Sequence, residues 1–462
     1  MDFKNLRVAM HNLGCKVNSY EAEAMVQELR AAGAEIVPWE DFADIYIINT
    51  CSVTNIADRK SRQMLHKAKL KNPDGIVIGA GCYVQARAAE LQKDSAVDIL
   101  VGNNRKGSIV EVIREYLRAK EENDALHYVP DIRSETGYET LQAGESTEHQ
   151  RAFLKVQDGC NQFCSYCIIP YVRGRIRSRS LADTLQEVQM LAAKGFHEVV
   201  LTGIHLSSYG LDFENQNYEY AMNHEIPSEQ LLTLIERVAA VPGIERVRLG
   251  SLEPRIITAA FTARLAAIPE ICPHFHLSLQ SGCDRTLKAM NRHYDTAAFR
   301  ESVRLLREAF PDVAVTTDVI VGFPGETEED FQASYDFISE IGFYELHVFK
   351  YSRRQGTVAD RMPGQLTDKE KSARSEALIR LDREKSADFR ARFLNRTELV
   401  LPEEIVEYDG AEYLTGFSKA YVKYLIPFRS REAALGKIGE IIPVRGVKIC
   451  DTYVLAETPE ML

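Results

Sequence analysis

The stretch DGCNQFCSYCIIPYVRG, residues 158 to 174, places cysteines at 160, 164 and 167, a C-x3-C-x2-C spacing. No histidine lies nearby to supply a fourth ligand. A structural zinc site normally takes four protein ligands. A haem attachment site would read C-x-x-C-H, but Ile168 follows Cys167. Three thiolates on a [4Fe–4S] cluster bind three irons and leave one open, where a small molecule can chelate. The stretch follows an apolar run, AFLKVQ (152 to 157), that reads as a strand. Five more candidate strands follow: EVVLTGI (198 to 204), RVRLGSL (246 to 252), HFHLSLQ (274 to 280), VAVTTDVIVGF (313 to 323) and ELHVFKYS (345 to 352). Helical stretches separate them. Six β/α units predict a partial (β/α)6 barrel of the TIM type, with its active-site groups at the C-terminal strand ends.

Upstream the pattern is again strand and helix in alternation, which predicts a parallel, Rossmann-like α/β sheet covered on both faces. Cys15, Cys51 and Cys82 close the first three strands, in the contexts LGC, NTC and AGC. Parallel strands point the same way, so three residues at their C-terminal ends converge where ligands bind in such folds. A single cysteine there would read as a small buried hydrophobe. Three at equivalent positions favour a shared ligand site. Between the two domains, residues 119 to 150 hold eight acidic and two basic residues with little apolar periodicity, the texture of a linker. After a charged helix over about 367 to 395, short strand-like runs predict a small antiparallel β-barrel. The expected division is 3–118, a linker over 119–145, a core over 146–376, and 377–457 with its leading helix.

Nine cysteines are many for a chain that shows no basic-then-apolar N-terminal signal and no apolar run of about 20 residues. The expectation is a cytoplasmic protein with no membrane contact, whose clustered thiols serve metals or catalysis rather than disulfides. The net charge of -11 argues against a surface coated for nucleic acid, though not against local basic patches.

The order LGCKVNSYEAE, NTCSVT, GAGCYVQ, then DGCNQFCSYCIIPYVRGR resembles the radical S-adenosylmethionine (SAM) methylthiotransferases over nearly the whole chain. The β-rich C-terminus sits where that family carries its OB-like TRAM domain. The form LGCKVNSYE looks like the MtaB-type branch, which acts on N6-threonylcarbamoyladenosine in tRNA. Other branches act on isopentenyladenosine in tRNA or on an aspartate of a ribosomal protein. A rival of another class is a non-catalytic iron–sulfur protein that binds RNA.

The resemblance implies two [4Fe–4S] clusters, one on Cys160, Cys164 and Cys167 with SAM, the other an auxiliary cluster on Cys15, Cys51 and Cys82 that carries sulfur. It implies two SAM molecules per turnover, one as methyl donor and one as radical source. It further implies a sulfur donor, a one-electron reductant, and the anticodon stem-loop of tRNA, modified at C2 of the adenosine at position 37. SAM candidates are Tyr166, Thr202, Gly203, Glu253, Ser278, Gln280 and Asp318, each equally readable as a packing or structural residue. RNA candidates are the alternating Arg173, Arg175, Arg177 and Arg179, which share one side if extended. The basic run 59–71 adds Lys67, Lys69 and Lys71. Arg353 and Arg354 follow the last strand, and Lys423 lies between Tyr421 and Tyr424. A solvated helix face is the plain alternative for the 59–71 run.

Overall fold

The strands Arg7–Asn12, Ile45–Thr50 and Ile76–Gly81 form the centre of a parallel sheet in the computed structural model, which describes residues 3–4, 6–119, 127–142, 150–213, 226 and 228–458. Glu35–Val37 flanks them on one side, and Ile99–Val101 and His127–Tyr128 on the other. The two central strands are buried at every position, because helices cover both faces. The register pairs Asn12 with Asn49 and Thr50 with Gly81, so the three cysteine-bearing strands are adjacent and end level.

Six further strands build the partial barrel: Arg151–Asp158, Glu198–Gly203, Arg246–Leu249, His274–His276, Ala314–Val321 and Glu345–Lys350. Their neighbours are parallel. Single bridges, Val247 with Ile271 and Leu252 with Leu277, join the third strand to the fourth. Each outer helix is set by its apolar stripe. Glu229–Ala239 buries Leu231, Leu232, Leu234, Ile235 and Val238 against the sheet. Glu328–Ile341 starts at a capping box in which Thr327 and Asp330 satisfy each other's backbone donors.

The helix Asp368–Ala391 leads into a closed five-stranded barrel of Thr397–Tyr408, Ala411–Ser418, Lys423–Ile426, Ile442–Cys450 and Tyr453–Glu457. Its pairing is antiparallel except that Lys423–Ile426 runs parallel to Tyr453–Glu457. Arginines from the first ends of the larger barrel's strands hold it. Arg246 donates to the carbonyls of Phe417 (3.0 Å) and Leu399 (2.7 Å), and Arg248 to that of Lys419 (3.0 Å). Arg151 pairs with Glu403 at 2.5 Å.

Two expected boundaries move. Residues 120–126 and 143–149 of the expected linker region lie outside the described residues, but 127–142 is docked rather than free. It adds the sixth strand, buries Ile132 and Leu141, and bonds Tyr138 Oη to the carbonyl of Lys155 at 2.6 Å. Its acidic residues suggested a linker, yet Glu135 and Glu139 accept from Asn104 and from the Gly107 backbone. The break at 376/377 falls inside the continuous helix Asp368–Ala391, whose Leu378 and Leu381 pack on the larger barrel's core.

Candidate active site

The Cys15 loop leaves its strand through Gly14, at φ 117°, where a side chain is strained. A Cβ there would stand 3.2 Å from Cys51 Sγ, so the glycine also lets the two loops approach. Gly81, at φ 93°, turns the third strand into the helix begun by Cys82. Asn18 locks the cluster of loops by donating to the carbonyls of Leu13 (2.7 Å) and Thr50 (3.0 Å). Burial, then the neighbouring Cys82 and Cys15 sulfurs, push the Cys51 thiol up to about 11. Asn103 reaches Cys82 Sγ at 3.5 Å and the carbonyl of Val172 at 2.7 Å, linking this triad to the loop that carries the other.

The second triad sits on a loop folded against the barrel mouth. Cys160 N donates to the carbonyl of Gly174, Ser165 N to that of Met290, and Asn291 to that of Phe163. Burial raises the Cys160 thiol, with Cys164 and Cys167 adding to it, and pushes Cys167 up to about 12. Arg292 donates to Cys164 Sγ at 3.2 Å while its guanidinium lies 4.7 Å from the Tyr294 ring.

These donor sets fit an iron–sulfur cluster better than a single ion. A zinc ion with bonds of about 2.3 Å would hold its sulfurs about 3.8 Å apart. Among the described residues only His276, Asp318 and His347 bring three donor atoms within 4.8 Å of one another, so each thiol triad is wider than that. The raised thiols of Cys51, Cys160 and Cys167 need a cationic centre to hold them as thiolates. Behind the first triad lie buried cations that an anionic cluster would complement. Lys106, Lys155, Arg173 and Arg177 share the paired carboxylates Glu21 and Asp158, with Glu139 further out. Arg173 Nε and Arg177 Nε have no hydrogen-bond partner among the described residues.

A cavity of about 760 Å³ opens between the Cys15 loop and the barrel. Cys15, Lys16 and Val53 line one wall, and Thr202, Gly203, His276, Asp318 and His347 another. Ile169, two residues beyond Cys167, lines it too. Asp318 is held between His347 (3.2 Å) and His276 (3.4 Å), and with burial opposing them the two imidazoles keep its carboxyl well below the usual range.

Of the sequence candidates, Thr202, Gly203 and Asp318 share this cavity with Cys15. Glu253 is buried beside His205 at 2.9 Å and Arg255, and feels the charge of Arg292. Tyr166 packs on Met290, Phe323, Tyr351 and Ala359. Ser278 offers its carbonyl to Tyr294 Oη, and Gln280 takes a left-handed backbone at φ 68° while bridging Val319.

The expected arginine stripe is corrected. Gly174, at φ 72°, turns the chain, and only Arg175 is exposed, against the Phe163 ring. Arg173 is buried on Glu21, Asp158 and Asn18. Arg177 donates to the carbonyls of Arg173 and Arg175, and Arg179 pairs with Glu187. Lys69 is tied to Asp98 at 2.9 Å, and Lys71 to the carbonyl of Trp39 at 2.6 Å, whereas Lys67 is exposed. Arg353 is exposed and pairs with Asp360, while Arg354 is buried. Tyr424 is buried, Tyr421 is half-buried, stacked on His274 and lining the cavity, and Lys423 is half-buried near Glu404.

Arg354 instead latches the Cys51 loop to the barrel, donating to Ser52 (2.7 Å), Asn55 (2.8 Å) and Asp58 (2.9 Å). Arg354→Ala is expected to cost about 2–3 kcal/mol, because it leaves Asp58 without its charged donor. Urea denaturation should show the loss as a lower midpoint, with Arg354→Lys intermediate.

Arg292, Asn103, Lys16, His276 and His347 escaped the sequence reading. His276 and His347 had a weak signal, since both stand in strand-like runs. Arg292 had none.

Residues 154–338 match the radical SAM superfamily, and residues 7–102 match a family described as uncharacterized protein family UPF0004. A Bacillus subtilis (strain 168) protein named threonylcarbamoyladenosine tRNA methylthiotransferase MtaB is 39% identical over 435 residues, covering 94% of this chain and 93% of its own. The chain belongs to the radical SAM methylthiotransferase family. A second methylthiotransferase of the same name, from Aquifex aeolicus (strain VF5), is 39% identical over 83% of this chain and 90% of its own. A Methylacidiphilum infernorum (isolate V4) tRNA-2-methylthio-N(6)-dimethylallyladenosine synthase is 31% identical over 96% and 92%. Among solved structures, the radical SAM methyltransferase TsrM from Kitasatospora setae covers 75% of this chain at a TM-score of 0.51 and 16% identity, a likeness of fold alone. As a family member this methylthiotransferase is an enzyme that uses [4Fe–4S] clusters and SAM. No helix among its described residues is long and apolar enough to cross a membrane.

Proposed function

We propose that this enzyme places a methylthio group at C2 of N6-threonylcarbamoyladenosine at position 37 of tRNA, beside the anticodon. The observation that carries the reading is the pair of thiol triads, each with three donors, the first reaching one cavity through Cys15 and the second approaching it through Ile169, two residues beyond Cys167. The MtaB proteins are 33–39% identical and the dimethylallyladenosine synthases 31–35%, and the two MtaB proteins at 39% favour the threonylcarbamoyl substrate. Cys160, Cys164 and Cys167 would hold the cluster that binds SAM, and Cys15, Cys51 and Cys82 the auxiliary cluster. When bound, these groups supply a substrate-activating radical and the sulfur that is methylated and inserted.

The chain's own residues position and exclude. Arg292 stabilises the Cys164 thiolate by a charge-assisted hydrogen bond. Glu253, fixed by His205 and Arg255, presents a carboxylate near the second triad for the SAM amine or ribose. Thr202, Gly203 and Asp318 line the space where SAM and the adenine meet. Tyr166, Ser278 and Gln280 support that mouth by packing and backbone contacts.

The C-terminal barrel acts as the TRAM-type, OB-like module. Its partly accessible Lys423, with Lys67, Arg175 and Arg353 elsewhere, offers phosphate contacts to the anticodon stem-loop. A sulfur donor and a one-electron reductant complete the reaction, which runs in the cytoplasm with tRNA.

The test is the nucleoside profile of tRNA from a strain lacking this protein. The 2-methylthio form of threonylcarbamoyladenosine is expected to vanish and its unmethylthiolated precursor to accumulate. An unchanged profile would rule the assignment out.

A further inference from the structure

The cavity has an electrostatic direction. Lys16 stands at its Cys15 wall, at the start of the helix Lys16–Ala31, with its ammonium 5.9 Å from the centre of the Phe153 ring. Among the described residues it has no carboxylate or hydrogen-bond partner. Lys16 is exposed, and it lines this cavity beside Cys15 and Val17. Around it face Tyr421, Arg151, Arg248 and Glu198. The nearby anions are already taken: Glu403 by Arg151, and Glu198 by Arg248 and Arg246. No acidic residue occupies the first turn of the helix, so its free backbone N–H groups add to the positive end. The cavity's own carboxylates, Asp318 and Glu345, lie on the strands of the barrel wall.

We propose that Lys16 is the counter-ion for the carboxylate of the threonylcarbamoyl group, and so a specificity-determining residue of this enzyme. The inference rests on the function proposed above and adds to it the residue that reads the substrate's charge. On the adenine ring, N1 lies between C2 and C6. A long substituent on N6 can therefore run along the edge that carries C2 and end in the same cavity as Cys15. Its carboxylate is the one full charge that separates this nucleoside from an apolar N6-alkyl adenosine. The unpaired positive charge on the Cys15 wall, across the cavity from Asp318 and Glu345, accepts the first, and Lys16 is left without a partner when the cavity holds the second.

The test uses the full chain reconstituted with iron and sulfide under anaerobic conditions. Its substrates are two anticodon stem-loops, one bearing threonylcarbamoyladenosine and one whose carboxylate is capped as a primary amide. The natural enzyme is expected to favour the acid by about 30-fold or more in kcat/KM. Lys16→Met should lose most of that preference, chiefly through a higher KM for the acid, with the amide little affected. Lys16→Arg should restore part of it. Iron content equal to that of the natural protein shows that a variant still folds and holds its clusters. Equal use of acid and amide by the natural enzyme would overturn the proposal. So would an equal loss on both substrates in Lys16→Met with its iron intact. Inactivity of the natural enzyme on the acid stem-loop would instead strike the underlying function.

Discussion

Replacing Cys160, Cys164 and Cys167 together with alanine is expected to halve the iron of the reconstituted protein, from about eight to about four atoms per chain, and to abolish turnover. The reciprocal triple replacement at Cys15, Cys51 and Cys82 should also leave about four irons. It should keep SAM cleavage to 5′-deoxyadenosine while losing methylthio insertion. The two variants share an iron count but separate in activity, which is what a division of labour between the triads requires. The structure gives a reason to expect independent occupancy. The first triad is held by strand ends and Asn18, the second by Met290, Asn291 and Arg292 on the barrel mouth. Iron falling to near zero in either variant would show that the triads serve one shared site. Zinc at one atom per chain with little iron would exclude the clusters altogether.

What was legible in the sequence was whatever local order determines. Cys15, Cys51 and Cys82 converge because their strands are parallel, adjacent and level; alternation predicts parallel strands, while adjacency rests on Glu35–Val37 pairing on the outer side of Arg7–Asn12. The helix Asn55–Lys71 over the basic run was local too. The arginines after Cys167 were misread because their partners are remote. Arg173 meets Glu21, 152 residues away, and no spacing rule reports that. Alternation suggested an extended basic edge, and a single left-handed glycine at 174 undid it. Lys16 was hidden for the opposite reason: its significance lies in having no partner, which only the assembled cavity reveals. The acidic texture of 127–142 likewise spoke of solvent until Asn104 and the Gly107 backbone were seen to need acceptors.

Glu21→Gln is expected to be the most damaging single change outside the thiols. Glu21 is 2% exposed, on the helix Lys16–Ala31, and its carboxylate receives Lys106, Lys155 at 2.7 Å and Arg173 at 2.8 Å. Lys155 and Arg173 belong to the barrel, so this one carboxylate joins the domain of the first triad to the loop of the second. Glutamine keeps the shape but removes the charge, leaving Lys155 and Arg173 to Asp158 and taking from Lys106 the carboxylate it pairs with. Breaking a buried pair in this way costs about 3–5 kcal/mol. The loss should appear at pH 7 as a lower unfolding midpoint and faster proteolysis between the domains. Its pH dependence has a definite sign. Despite the opposing cost of burial, Arg173, Lys106 and Lys155 hold the Glu21 carboxyl well below its ordinary value. A depressed carboxyl contributes stability that is fully present above its unfolded pKa of about 4.3 and is lost as pH falls toward the folded value. The gap between the natural protein and Glu21→Gln should therefore be constant above about pH 5 and narrow below about pH 4. A gap that does not narrow on acidification would mean that glutamine disturbs packing rather than charge, and that the domains are joined by something other than this carboxylate.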